Sequence, residues 1–166
     1  MTEKQRLIID YLTDHNGQGY YLDIRGSMSL QFDDEDDFDK TLYQLSALNL
    51  IYENDSDTLY KLTYPNLKVK YAIPHVTLFY TDKNEPGLRI EDYELFDTFD
   101  DILTEQFDID DYYITTEKKE NLEIVTMHFP DNTDKNKLSK AVQSIDKKKV
   151  ERIYNINNPN DTKTYR

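Results

Sequence analysis

The stretch Asp33-Asp34-Glu35-Asp36-Asp37-Phe38-Asp39-Lys40-Thr41-Leu42-Tyr43-Gln44-Leu45-Ser46-Ala47-Leu48 reads as a helix with an unusual start. Asp33 or Asp34 can cap it, because an Asp side chain accepts a backbone N–H that the first turn leaves unpaired. Carboxylates fill the first turn, where the helix dipole favours negative charge. Phe38, Leu42, Leu45 and Leu48 share one face at helical spacing. Six of the seven residues from Asp33 to Asp39 are acidic, more than capping requires. Asp36 can pair with Lys40 one turn later.

Upstream, residues 3–14 predict a helix, with Leu7, Ile8, Tyr11 and Leu12 in one apolar stripe and Asn16-Gly17 as its stop. Gly17 to Leu30 holds a short strand at Tyr20-Tyr21-Leu22 and a poor helix interrupted by Gly26. Downstream, Asn49-Leu50-Ile51-Tyr52 closes the acidic helix. Asn54-Asp55-Ser56-Asp57 then turns a hairpin between Ile51-Tyr52 and Thr58–Thr63. Tyr64-Pro65-Asn66 is the expected joint between two halves.

Helix, weak middle element, helix and hairpin, in this order, resemble a winged helix-turn-helix over residues 3–64. The resemblance implies a DNA-binding domain with the acidic helix in the major groove. Its charge argues against that use. Readers of DNA place Arg, Lys, Asn or Gln there, and DNA carries one negative charge per ~1.7 Å of axis. A DNA grip would have to come from Lys4, Arg6, Arg25 and Lys61.

The second half predicts β-formers from Leu67 to Thr81, interrupted at Pro74, and a turn over Asp82 to Gly87. A helix over residues 91–106 places Phe96, Phe99, Leu103 and Phe107 on one face. Tyr112–Thr116 and Leu122–Phe129 form two strands about the turn Lys118-Lys119-Glu120-Asn121. Asn132 or Thr133 caps a helix carrying Leu138, Ala141, Val142 and Ile145, and Val150–Ile156 is a last strand. The fold class expected is therefore α+β. A winged-helix-like domain (1–65) precedes a ferredoxin-like β-α-β-β-α-β domain with a polar tail (66–166). That layout is similar to one-component amino-acid-responsive regulators.

Composition narrows the function classes. The chain of 166 residues has a formal net charge of -13 and no cysteine, which excludes a disulfide framework and a thiolate metal site. Its 14 tyrosines argue for a folded chain despite the low apolar content. The first residues lack a signal-peptide run, and no stretch approaches ~18 apolar residues. The expectation is a cytoplasmic protein that avoids membranes and seeks basic partners.

A second acidic stretch runs from Asp82 to Asp111, with twelve acids against Lys83 and Arg89. Asp97, Asp100, Asp101 and Glu105 lie opposite the Phe96/Phe99/Leu103 stripe, and Asp108, Asp110 and Asp111 follow. With Asp33, Asp34, Glu35, Asp36, Asp37 and Asp39 they form the candidate partner-binding set. No metal or cofactor is expected, since Asp33 to Asp39 lacks the glycine-centred spacing of a calcium loop. Residues 131–166 carry nine basic and five acidic residues. Homodimerisation of this basic end onto an acidic patch is therefore an option.

One enzyme lead stands apart. Pro74-His75-Val76-Thr77-Leu78 resembles half of the two-histidine phosphoesterase motif, which implies His75 as acid or base and Thr77 as phosphate holder. The second half is missing. His128 is followed two places on by Pro130 instead of Ser or Thr.

Three functions follow. The first is a non-enzymatic acidic module that binds the basic surface of a protein handling nucleic acid. It would be a DNA mimic of the kind a phage or mobile element turns on CRISPR or restriction systems. The second is a transcription regulator whose C-terminal half senses a ligand or dimerises. The third is a degenerate phosphoesterase.

Overall fold

The computed structural model describes residues 1–54, 58–119 and 122–159, which form a mixed α+β protein with antiparallel sheets. Asp55-Ser56-Asp57 and Glu120-Asn121 of the two expected turns, and the tail from residue 160, lie outside the described residues. The chain divides into two compact units, one over Met1–Pro65 and one starting at Asn66.

In unit 1, α1 (Glu3–Asp14) starts with a capping box, in which Thr2 Oγ1 accepts from Gln5 N–H and the Gln5 side chain accepts from Thr2 N–H. It ends where Asn16 and Gly17 adopt φ of 58° and 80° and Gly17 N–H reaches Leu12 C=O at 2.7 Å. β1 (Gln18–Tyr20) and α2 (Tyr21–Ser27) follow. Tyr21 and Leu22 are thus helical and not the expected strand. The helix buries Ile24, its C-cap residue Met28 is buried as well, and Leu22 is left 74% exposed.

Asp34 caps α3 (Glu35–Ala47), accepting from Asp37 N–H at 2.8 Å, and Phe38, Thr41, Leu42 and Leu45 are its buried face. Asn49 at φ 55° and a Leu50 N–H to Leu45 C=O bond close it. β2 (Ile51–Asn54) and β3 (Leu59–Leu62) pair antiparallel, and β1 adds to β3, giving the order β1-β3-β2.

In unit 2, β4 (Lys68–Ile73), β5 (Val76–Tyr80) and β6 (Pro86–Ile90) precede α4 (Tyr93–Asp101), which runs into a π-helical turn at Ile102–Gln106. β7 (Tyr113–Lys119), β8 (Leu122–His128), α5 (Lys135–Gln143) and α6 (Lys147–Asn157) complete it. The sheet order is β4-β5-β6-β8-β7. Val76, Leu78, Leu88, Ile90, Val125 and Met127 alternate onto one face and form a core with Leu95, Phe99, Leu103 and Val142.

The element order here is β-β-β-α-β-β-α-α, not the expected β-α-β-β-α-β. Three local differences account for it, the first being that the β-rich run over residues 67–81 divides at Pro74-His75 into two strands, β4 and β5. Pro86 and Gly87 belong to β6, not to a turn. Pro86 stands at the strand's first position, where a missing N–H is tolerated. Gly87 passes so close to the Phe79 ring that an added methyl group would overlap it. The third difference is Val150–Ile156, which is helical. Asp146 caps α6 by accepting from Lys148 N–H at 2.8 Å. Val150 and Tyr154, four apart, are buried, whereas Ile156, which strand alternation would bury with them, is 69% exposed. Likewise Asp134, not Asn132 or Thr133, caps α5.

Candidate functional site

The acids of α3 are largely engaged within unit 1. Lys4 of α1 reaches Asp37 Oδ2 at 2.6 Å and Asp33 Oδ2 at 3.1 Å. Arg25 of α2 pairs with Glu35 at 2.9 Å. The Tyr21 hydroxyl donates to Asp39 Oδ1 at 2.6 Å. Asp34 is the cap. The expected Asp36–Lys40 pair does not form among the described residues, and the Lys40 charge acts on Asp37 instead. Asp36 stays exposed. Lys4 and Arg25, two of the four cations a DNA grip would need, are therefore committed to α3's own carboxylates.

This pairing has a pH signature. Hydrogen bonding to Lys4, first among the causes, holds the Asp37 carboxyl below its ordinary 3.8. A lowered folded pKa contributes stability that is complete above the ordinary value and is lost as pH falls through the lower folded value. Acid titration of unit 1 should show that loss below about pH 4. Lys4→Met should remove this component, as read by urea unfolding at pH 3 and pH 6. Equal acid sensitivity in wild type and variant would contradict the assignment.

Beside these acids lies a groove of about 720 Å3 between α3 and the β2–β3 hairpin. Leu42 and Ile51, both buried, belong to its lining. Tyr21, Tyr43, Tyr52 and Tyr60 contribute aromatic surface, and Asp39 and Glu53 contribute charge. Glu53 lies directly opposite Tyr60 in the hairpin ladder. Burial first, then the charge and hydrogen bond of Glu53 and the charge of Asp39, raise the Tyr60 pKa. Burial, the Asp39 hydrogen bond and nearby carboxylates push Tyr21 up as well. Of this groove, the candidate residues read from sequence include only Asp39. Tyr43 is legible in principle, since Asp36, Asp39, Tyr43 and Ser46 run at helical spacing away from the Phe38/Leu42/Leu45 stripe, whereas Glu53 joins them only through the fold of the hairpin.

The second acidic stretch is in unit 2. Asp97, Asp101, Glu105, Asp108, Asp110 and Asp111 are exposed. Asp100 departs from the expected solvent face. It is half-buried and accepts a short hydrogen bond from the Tyr112 hydroxyl, whose pKa burial and this carboxylate raise. Asp92 caps α4, accepting from Leu95 N–H, and also accepts from Asn158.

The His-x-Thr lead does not assemble a site. His75 is not on a strand but in the β4–β5 turn, at φ 67°. Its side chain is 2% exposed, with Nδ1 3.3 Å from Glu91 Oε2 and the ring stacked on Tyr154 at 3.3 Å between centroids. Thr77, between core residues Val76 and Leu78, points to the other sheet face. His128 lies two strands away from Thr77's strand, with Nε2 2.9 Å from Thr115 Oγ1 and its ring on Tyr113. Burial lowers its pKa. A general acid or base must reach a substrate proton within about 3 Å, and the enclosed His75 ring leaves no room for one.

Among the described residues, no three His, Asp or Glu side chains converge as a metal site would require. No helix there is long and apolar enough to cross a membrane. Comparison of the chain with protein-family models, curated proteins and solved structures finds no match.

Proposed function

We propose that the chain is a non-enzymatic binding module that takes the basic surface of a nucleic-acid-handling protein. The contact face is the one on which a winged helix would hold DNA. The reading rests on unit 1. Its order α1-β1-α2-α3-β2-β3 and its sheet order β1-β3-β2 fit a winged helix with α3 as reader and β2–β3 as wing. One observation carries the functional step. Where the reader and wing should be dominated by cations, Asp36, Asp39 and Glu53 stand exposed against Lys40 and Lys61, and Lys4 and Arg25 are held by acids at the start of α3.

Unit 2 fits a permuted ferredoxin-like sheet. In β5-β6-β8-β7 the strands β6 and β7 flank β8 with α4 between them in sequence, as in a split β-α-β. The outer strand comes from before β6 instead of after the last helix. Its exposed acids add to the net charge of -13, which speeds encounter with basic partners.

Affinity capture with the tagged chain from its native cell, followed by competition with duplex DNA, tests the proposal. Captured proteins should be nucleic-acid binders that free duplex displaces. Capture that excess duplex leaves untouched would overturn it.

A further inference from the structure

Resting on that reading of unit 1, we propose that the groove between α3 and the β2–β3 hairpin takes an arginine side chain of the partner. The guanidinium would stack on the tyrosines and be forked by Asp39 and Glu53. Three features of the groove select this occupant.

The first is charge. Asp39 and Glu53 are the ionisable acids of the lining, and no Lys or Arg belongs to it. The second is aromatic surface. Tyr43 and Tyr60 come from opposite sides, one on α3 and one on the hairpin. A cation over a phenol ring is attracted by the ring's negative face. The third is remaining acceptor capacity. Tyr21 supplies one hydrogen bond to Asp39, and an ionised carboxylate offers roughly four acceptor positions. The guanidinium's planar fork matches such carboxylates and also stacks on aromatics, which a lysine ammonium does less well. The apolar floor of Leu42 and Ile51 suits the aliphatic stem.

This site differs from a diffuse acidic surface, and the difference is measurable. A capped Arg-Gly-Arg-Gly-Arg peptide titrated into the full 15N-labelled chain at ~0.1 M salt should shift amides of α3 and the hairpin first. Tyr43→Ser changes no charge and alters an exposed side chain. It should weaken the peptide about threefold through the lost ring. Glu53→Gln should weaken it about tenfold through the lost charged acceptor. The Lys-Gly-Lys-Gly-Lys peptide should bind more weakly than its arginine counterpart. Tyr43→Ser with unchanged affinity in a chain whose spectrum shows it folded would overturn the inference. Shifts that gather on Asp97 and Asp101 of α4 would also overturn it. Either outcome leaves the basic-partner reading standing, because capture and duplex competition test that separately.

Discussion

Replacing Glu91 with alanine is expected to destabilise unit 2 by about 3 kcal/mol, the cost of removing one member of a buried ion-pair cluster. Glu91 follows β6, and its side chain is 11% exposed. One carboxylate oxygen lies 3.3 Å from His75 Nδ1 and the other 3.6 Å from Arg89, itself 12% exposed. Its backbone N–H donates to His75 C=O at 2.9 Å. One residue thus ties the β4–β5 turn to the end of β6. Arg89 also lies 3.9 Å from Glu117, whose side chain is 67% exposed, so that contact adds little. With a urea slope of about 1.5 kcal/mol per molar, the midpoint should fall by about 2 M. Glu91→Gln keeps shape and a hydrogen-bond acceptor and should lose less. Coincident unfolding curves for wild type and E91A would show that the cluster does not hold the turn. His75 would then need another explanation for its burial.

Reversing the charge of the proposed reading face should create duplex binding where none is expected of the wild type. The variant Asp36→Lys, Asp39→Lys, Glu53→Lys alters three exposed acids. It moves the net charge from -13 to -13 + 6 = -7. Asp33 and Asp37 are left alone because they hold Lys4. Wild type is expected to show no retention of duplex even at low salt. The variant should bind weakly and without sequence preference. Three new phosphate contacts should make log K fall with log salt at a slope of about -2.7. No gain of duplex binding by a folded variant would mean that α3 and the hairpin do not sit as a reader and wing. The proposed contact face would fall with that result.

Much of the local structure was legible because it is encoded in neighbouring residues. Asp34 with Asp37 N–H and the Asn16-Gly17 stop act within one turn of chain. So does the Phe38/Leu42/Leu45 stripe. Errors arose where two periods competed. Val150-Glu151-Arg152-Ile153-Tyr154 reads as a strand by β-branched content. The Asp146 cap and the i, i+4 burial of Val150 and Tyr154 make it a helix. β6 does not show as a strand in the sequence pattern, because its Leu88-Arg89-Ile90 segment is short and opens with Pro86-Gly87. Its place between β5 and β8 comes from pairing distant in sequence.

The acidic character of the chain, the helical nature of α3 and the excess of carboxylate at its start were determined by the sequence alone. Charge and capping are properties of adjacent residues. Which of those carboxylates are engaged within the chain was decided only by tertiary structure. Lys4 lies 29 and 33 residues away from Asp33 and Asp37 along the chain, and Arg25 ten from Glu35. Ion pairs of that span form only when α1, α2 and α3 pack. The same packing opposes Tyr43 to the hairpin that carries Glu53 and Tyr60, and so turns an acidic helix into one wall of a groove.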